Sequence, residues 1–188
     1  MLAVAALTVN AQKIKVKEGS IAALKGTTSL KVKFEYDDLK VGGKTETEYV
    51  AEKTEAYNKK EAGKGDTWAK SWVSDREGRY EKHFEDLFEK QSGMEIDKNS
   101  SDKYTLVFKT RFIEPGYNIY VTRKNAEVDA EVWIVETANP SNVIAKLSVE
   151  NCPGRTFGGN DYDTGTRIEE AYEVAGKGLG KYLKKELN

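Results

Sequence analysis

Residues 127–150 read EVDAEVWIVETANPSNVIAKLSVE, and this stretch decides the predicted fold. Apolar residues alternate with acidic residues over 127–134, and apolar residues alternate again with other residues over 143–149. A period of two is typical of strands that bury only one face. Between the two runs, the segment Asn139-Pro140-Ser141-Asn142 has the composition of a tight turn. The sequence therefore predicts an antiparallel hairpin.

Three further stretches alternate in the same way, at 13–17, 30–36 and 106–112. We expect the first two to be neighbours in the sheet. The basic outer positions of 106–112 complement the acidic outer positions of 127–131, and each opposite-charge pair across two strands contributes about 0.2–1 kcal/mol. We therefore expect these two strands to pair, in a mostly antiparallel sheet of about five strands.

Helical spacing of apolar residues appears over 66–88 and over 166–183, and more weakly over 47–62. Asp66 is the expected N-cap of the first helix. Thr166 and Glu169 have the spacing of a capping box at the start of the last helix. Two to three helices against one apolar sheet face predict a two-layer sandwich of the α+β class.

The amino-terminal residues 1–12 predict the cellular location of the protein. They are apolar from Leu2 to Val9 apart from Thr8, and they end in small and polar residues before the first charge at Lys13. This pattern is typical of the second half of a secretory signal peptide, here truncated, with residues 13–188 as a single mature domain. The alternative is a buried terminal element of a cytosolic domain. We expect a periplasmic or secreted protein.

Overall composition excludes several classes of partner. Lys and Arg total 30 against 31 Asp and Glu, so the net charge of -1 gives no field that would attract nucleic acid. No apolar run approaches the ~20 residues of a membrane span. The single cysteine cannot form an internal disulfide. We therefore expect a soluble domain that neither spans a membrane nor binds nucleic acid.

One loop is a candidate calcium site. Residues 158–165 read GGNDYDTG, in which Asn160, Asp161 and Asp163 offer the oxygen ligands that Ca²⁺ prefers. The EF-hand pattern is not met, because Gly165 and Thr166 occupy positions that need a ligand and a glycine. The alternative is a polar loop whose acids favour the following helix N-terminus. We expect no cofactor otherwise.

Catalytic motifs are weak in this chain. Cys152 and the single histidine, His83, could in principle form a nucleophile and base, but a histidine bordering the core and an unreactive thiol are the favoured interpretation. A zinc site of several histidines is excluded, and no Gly-x-Ser-x-Gly motif occurs. Paired surface carboxylates of a hydrolase remain an alternative.

An exposed apolar patch is the strongest candidate for a binding site. Trp133 falls on the charged side of its strand, and Ile144 falls on the outward side of the next strand. With Tyr120 they form the predicted contact surface. The alternative is that a third helix covers them.

The order strand, helical insert, three strands and closing helix resembles a known family. The closing helix begins Gly165-Thr166-Arg167-Ile168-Glu169-Glu170-Ala171 and ends Gly180-Lys181-Tyr182-Leu183. Over residues 28–186 the pattern is similar to small exported bacterial envelope proteins and lipoproteins related to the curli-assembly lipoprotein fold. The lipobox cysteine of several members is absent. The resemblance implies a non-catalytic envelope domain that binds or assembles with other proteins, and it transfers no functional residue.

Three functions follow as hypotheses. The first is an exported, non-catalytic binding or assembly domain whose partner is an envelope protein or a glycan. The second is a hydrolase that uses carboxylates or a divalent cation. The third is a purely structural component of the envelope.

Overall fold

The computed structural model describes residues 12–97, 102–119, 122–154 and 163–188. It has the predicted α+β class. The strands are β1 (Lys13–Gly19), β2 (Ser29–Glu35), β3 (Lys40–Val41), β4 (Lys44–Thr45), β5 (Glu95–Ile96), β6 (Tyr104–Glu114), β7 (Tyr117–Asn118), β8 (Arg123–Lys124), β9 (Ala126–Glu136) and β10 (Asn139–Gly154). The helices are α1 (Glu46–Lys60), α2 (Lys64–Asp75), α3 (Lys82–Ser92) and α4 (Thr164–Leu187), with a π-helical turn at Arg76–Glu81 and a 3-10 turn at Ile21–Leu24.

The main sheet is larger than predicted. In the described parts of the chain it has eight strands in the order β1-β10-β9-β6-β2-β5, and β3 pairs with both β4 and β6. The extra strands β3, β4 and β5 have two residues each, which is too short for alternation to reveal them. The pairing is also mixed, because β2 and β3 run parallel to β6.

The central hairpin is confirmed, with its turn two residues earlier than expected. β9 and β10 pair antiparallel, and Asn139 faces Glu136, so the turn is Thr137-Ala138. Asn139 and Pro140 instead begin β10, where irregular pairing up to Val143 accommodates the proline.

The strand neighbours are partly as expected. β6 pairs with β9, and Lys109 faces Glu131 across them. The expectation that the strands at 13–17 and 30–36 are neighbours is wrong: β1 pairs with β10 at one edge, whereas β2 pairs with β6. Alternation identifies a strand but does not contain information about its partner.

The helices are confirmed, and two of their starts are corrected. The helical stretch from α2 through the π-helical turn to α3 is continuous and begins after Gly63, and not after Asp66. Helix α4 begins at Thr164, and its N-cap is Asp163 in place of Thr166. The weakly predicted helix α1 has a complete capping box, formed by Thr45 and Glu48.

One face of the sheet forms the core with α3 and α4. Phe84 of α3 packs against Phe108 of β6 with ring centroids 4.6 Å apart, and Tyr172 of α4 is fully buried beside them. Gly176 allows α4 to approach α3 closely, because a Cβ at this position would lie 2.2 Å from the Phe84 carbonyl oxygen. We call the sheet face that packs on these helices the inner face and the opposite one the outer face.

No described helix is both long and apolar enough to cross a membrane.

Candidate functional site

Trp133 lies on the outer face, at the centre of the sheet. It faces Val107 of β6 on one side and Lys146 of β10 on the other. Its side chain is half-buried, and its indole N–H donates to the Glu131 carboxylate at 3.2 Å. Strand alternation positions it here, because the flanking Val132 and Ile134 fill the inner face.

Two lysines approach the Trp133 ring from the neighbouring strands. The Lys109 ammonium lies 4.3 Å from the ring centroid, and the Lys146 ammonium lies 4.8 Å from it. Cation–π contacts of this kind contribute about 0.5–1 kcal/mol at exposed sites. The surface around Trp133 is therefore not the apolar patch that the sequence predicted, because two lysine ammonium groups contact the ring.

A small apolar strip adjoins Trp133. Val107 and Val135 are buried although both lie on the outer face, and neither belongs to the main hydrophobic cluster. Strand alternation predicts polar residues at these outer positions, because the apolar residues of the inner face already form the core. These valines and Trp133 form an aliphatic and aromatic floor.

Two open depressions lie on either side of Trp133. The one toward β1 has a volume of about 420 Å³ and is surrounded by charges of both signs. The one toward β2 has a volume of about 240 Å³. Among described residues, only strand residues and the β9–β10 turn line them. We call the smaller one the lysine groove, and it is lined by Lys31, Lys33, Glu35, Thr105, Val107, Lys109, Trp133, Val135, Thr137 and Pro140.

The lysine groove has an excess of positive charge. Its lining contains three lysines and one carboxylate, Glu35. Glu35 forms ion pairs with both Lys109 and Lys33. Burial acts to raise the pKa of Glu35, but the two ammonium groups hold that pKa below its ordinary value. One carboxylate is therefore shared by two ammonium groups, and the third ammonium group, that of Lys31, adds to the positive charge of the groove.

The other two residues of the predicted patch do not join Trp133 in the described structure. The expected outward position of Ile144 is corrected. Its half-buried side chain packs against the main hydrophobic cluster and lines neither depression. A β-bulge interrupts β10 between Val143 and Ala145, so strict alternation fails there. Tyr120 lies outside the described residues.

The predicted calcium loop also lies mostly outside the described residues, which include neither Asn160 nor Asp161. Asp163 is described, and its role is different from a metal ligand. Its carboxylate accepts from the backbone N–H groups of Gly165 and Thr166 at 3.1 Å and pairs with Arg79 at 3.1 Å. Burial acts to raise its pKa, but these hydrogen bonds hold the pKa below its ordinary value. Asp163 caps α4, so its oxygens are already engaged.

Cys152 and His83 do not form a catalytic pair. Cys152 is buried in β10, where Gln12 donates to its sulfur at 3.3 Å. Burial raises the pKa of the Cys152 thiol to about 12, so the thiol is protonated at neutral pH and is a poor nucleophile. His83 is bound instead to Glu169 and Glu173 on α4.

A polar cluster between α4 and the helical stretch formed by the π-helical turn and α3 was missed by sequence reasoning. Arg79 and His83 face Glu169 and Glu173, in each case at a spacing of four residues, with Asp163 at the helix start. The i, i+4 spacing on both helices is the signal that could have identified the cluster. Which two helices face each other cannot be read from spacing alone.

No protein-family model matches this chain, and no curated protein matches it by sequence. Solved structures similar to it include two of the PelC dodecamer from Paraburkholderia phytofirmans. A leucine-to-methionine variant is 10% identical with a TM-score of 0.41, covering 88% of this chain and 98% of that one. The second is 9% identical with a TM-score of 0.39, covering 87% and 97%. At these values the similarity supports no conclusion about assembly or ligand.

Proposed function

We propose that this protein is an exported, non-catalytic binding domain of the bacterial envelope, and that its lysine groove binds an acidic glycan. The observation that carries the proposal is the position of Trp133. It lies half-buried on the outer face between two lysine ammonium groups, on the floor of a groove with three lysines and one carboxylate. Fold stability does not require this arrangement, because the inner face already forms the core.

The chemistry of the groove favours a glycan over a protein partner. The centres of protein interfaces are depleted of charged residues. In the described structure the large exposed hydrophobic residues are Val16, Val73, Tyr117 and Ile119, and none of them lines the lysine groove. The groove instead combines an aliphatic and aromatic floor with lysines and with the hydroxyls of Thr105 and Thr137. This combination suits a ligand that is rich in hydroxyl and carboxylate groups.

Export is part of the same proposal and rests on the leader-like pattern of residues 1–12. The resemblance to the curli-assembly lipoprotein fold also supports an envelope location, either periplasmic or secreted. The hydrolase alternative gains no support from the predicted calcium loop, since Asp163 is used as a helix cap and Asn160 and Asp161 lie outside the described residues. A purely structural component would have the same fold and no ligand, so binding measurements separate it from the proposal.

Calorimetric titration with oligogalacturonate, a uronic acid polymer, tests this function, with neutral dextran as the control ligand. We expect saturable binding of oligogalacturonate only, weakening as the NaCl concentration rises. The substitution Lys109→Met keeps the aliphatic stem and removes the charge. Hydrogen bonds to charged groups contribute about 1.5–3 kcal/mol, so we expect at least about tenfold weaker binding.

The matched control is Lys59→Met on α1, a surface lysine that pairs with Glu55 far from the groove in sequence. It should bind like the original chain. Equal binding of both variants would show that oligogalacturonate binds elsewhere. The absence of saturable binding at low salt would contradict the acidic-glycan proposal and favour the purely structural role.

A further inference from the structure

His83 lies between two carboxylates of helix α4. Its Nε2 is 3.0 Å from Glu169 Oε1, and its Nδ1 is 3.0 Å from Glu173 Oε1. The two glutamates are four residues apart on one face of α4, and His83 reaches them from α3. All three ligand atoms lie within 4.8 Å of one another. One imidazole and two carboxylates therefore converge at the interface of two helices.

A second contact orients the first of these carboxylates. Arg79 donates through Nε to Glu169 Oε2 at 2.8 Å, which leaves Glu169 Oε1 directed at His83. Arg79 also binds Thr166 Oγ1 at 2.9 Å and Asp163 at 3.1 Å. In metal sites of proteins, carboxylate ligands are regularly hydrogen-bonded by further side chains that fix their orientation.

The surroundings have an excess of negative charge. Asp75, Asp163, Glu169 and Glu173 supply four carboxylates, and Arg79 is the cation that joins three of them. Burial and the neighbouring charges of Asp163 and Glu169 raise the pKa of Asp75 despite its contact with Arg79. A divalent cation at the two glutamates would reduce this excess.

We propose that His83, Glu169 and Glu173 bind a divalent transition-metal ion of the zinc class, which connects α3 to α4. An imidazole nitrogen favours zinc over calcium or magnesium, which prefer oxygen alone. Donors at about 2.0–2.2 Å from zinc lie roughly 3.3 Å from each other, close to the 3.0 Å between each ring nitrogen of His83 and its glutamate. Because the imidazole binds an ion through one nitrogen, one of the two glutamate side chains must change rotamer to reach the same ion. The three side chains are 35%, 20% and 39% exposed, which admits the ion and leaves positions for water.

The chain is well suited to a direct test. His83 is its only histidine, and Cys152, its only cysteine, is buried. Zn²⁺ is titrated into the untagged full chain, and binding is followed by calorimetry and by the NMR signal of the single imidazole. We expect one site, with the imidazole signal shifting in proportion to occupancy and the melting temperature rising.

Variants assign the site. Glu173→Gln retains a side chain that can hydrogen-bond to His83 and removes one ligand charge, and His83→Ala removes the imidazole. Each should weaken Zn²⁺ binding at least about tenfold. The control Glu186→Gln changes an acid at the far end of α4, which pairs with Lys185, and should bind zinc like the original chain.

Two results would overturn the proposal. Zn²⁺ binding that leaves the imidazole signal unchanged would place the ion elsewhere. The absence of saturable binding would show that His83 serves only as a hydrogen-bonding link between the two glutamates. The outer face takes no part in this test, so its outcome is independent of glycan binding.

Discussion

The two faces of the central sheet are built from the same strands and differ in almost every other respect. On β9, Val132 and Ile134 point to the inner face and are fully buried against the helices. Trp133, between them, points to the outer face, where lysines and a glutamate surround it. Burial of apolar area determines the inner residues. Ion pairs and cation–π contacts determine the outer arrangement.

This difference distinguishes side chains that stabilise the fold from side chains that are available to bind a ligand. Exposed ion pairs contribute about 0–1 kcal/mol each, so the charged outer face adds little to stability. Yet Val107 and Val135 are buried there, outside the main cluster, beside a tryptophan. A face that stability alone shaped would not need this strip, which is why we assign it to ligand binding.

The largest expected effect comes from making the same substitution on both faces of one strand. Val132→Ala removes two methyl groups from the fully buried core, and we expect it to lower the free energy of unfolding by about 2–3 kcal/mol. Val135→Ala on the outer face should cost less than about 1 kcal/mol, because lysine and threonine side chains around it can close the space. Urea denaturation of both variants measures the difference. Equal losses would show that the outer strip is a second core.

A smaller effect is expected where the helices meet the inner face. Alanine normally stabilises a helix relative to glycine by about 1 kcal/mol. Gly176→Ala should do the reverse and destabilise by about 1–3 kcal/mol, because the added Cβ would meet the Phe84 carbonyl oxygen.

The control for this substitution is Gly78→Ala, since a Cβ at Gly78 would meet no heavy atom within 4 Å. Thermal melting should show it to be neutral or slightly stabilising. If Gly176→Ala melts at the same temperature as Gly78→Ala, then α3 and α4 are not in close contact.

The smallest effect is expected on the outer face, at Glu35. Its pKa is lower in the folded chain than in the unfolded chain, because Lys109 and Lys33 outweigh the effect of burial. Its contribution to stability is therefore present above its unfolded pKa and is lost as the pH falls through its folded pKa. Glu35→Gln should lose up to about 1 kcal/mol near neutral pH and show a weaker fall in stability as the pH drops below the unfolded pKa of a glutamate. An unchanged pH profile would show that the Lys109 pair contributes nothing.

Sequence patterns predicted the local elements better than their arrangement. The pairing of β6 with β9 was predictable, because complementary charges such as Lys109 and Glu131 mark facing positions. The separation of β1 from β2 in the sheet was not predictable, because alternation within a strand does not identify the strand that pairs with it. Ile144 was misplaced because a bulge in β10 leaves no mark in the pattern of apolar residues.

The candidate site was predictable at one residue. Trp133 was identified because an aromatic residue on a charged strand face breaks the pattern. Lys109 and Lys146 were not identified, because a lysine over a ring looks the same in sequence as any solvated lysine. Asp163 was placed in a candidate calcium loop because carboxylates in a Gly-rich loop resemble ligands. Its position as the N-cap of α4 agrees with the alternative, in which the acids of this loop favour the helix N-terminus.

The most direct test of the outer face as a binding surface uses the three tryptophan indole signals in an NMR spectrum of the nitrogen-15-labelled chain. Trp72 is buried and donates to Glu46, and Trp68 packs beside it, so both report on the helices. The Trp133 signal is assigned with Trp133→Phe. On adding oligogalacturonate, we predict a saturable shift of the Trp133 signal alone. An unchanged Trp133 signal, or a shift confined to Trp68 and Trp72, would contradict the assignment of the outer face to ligand binding.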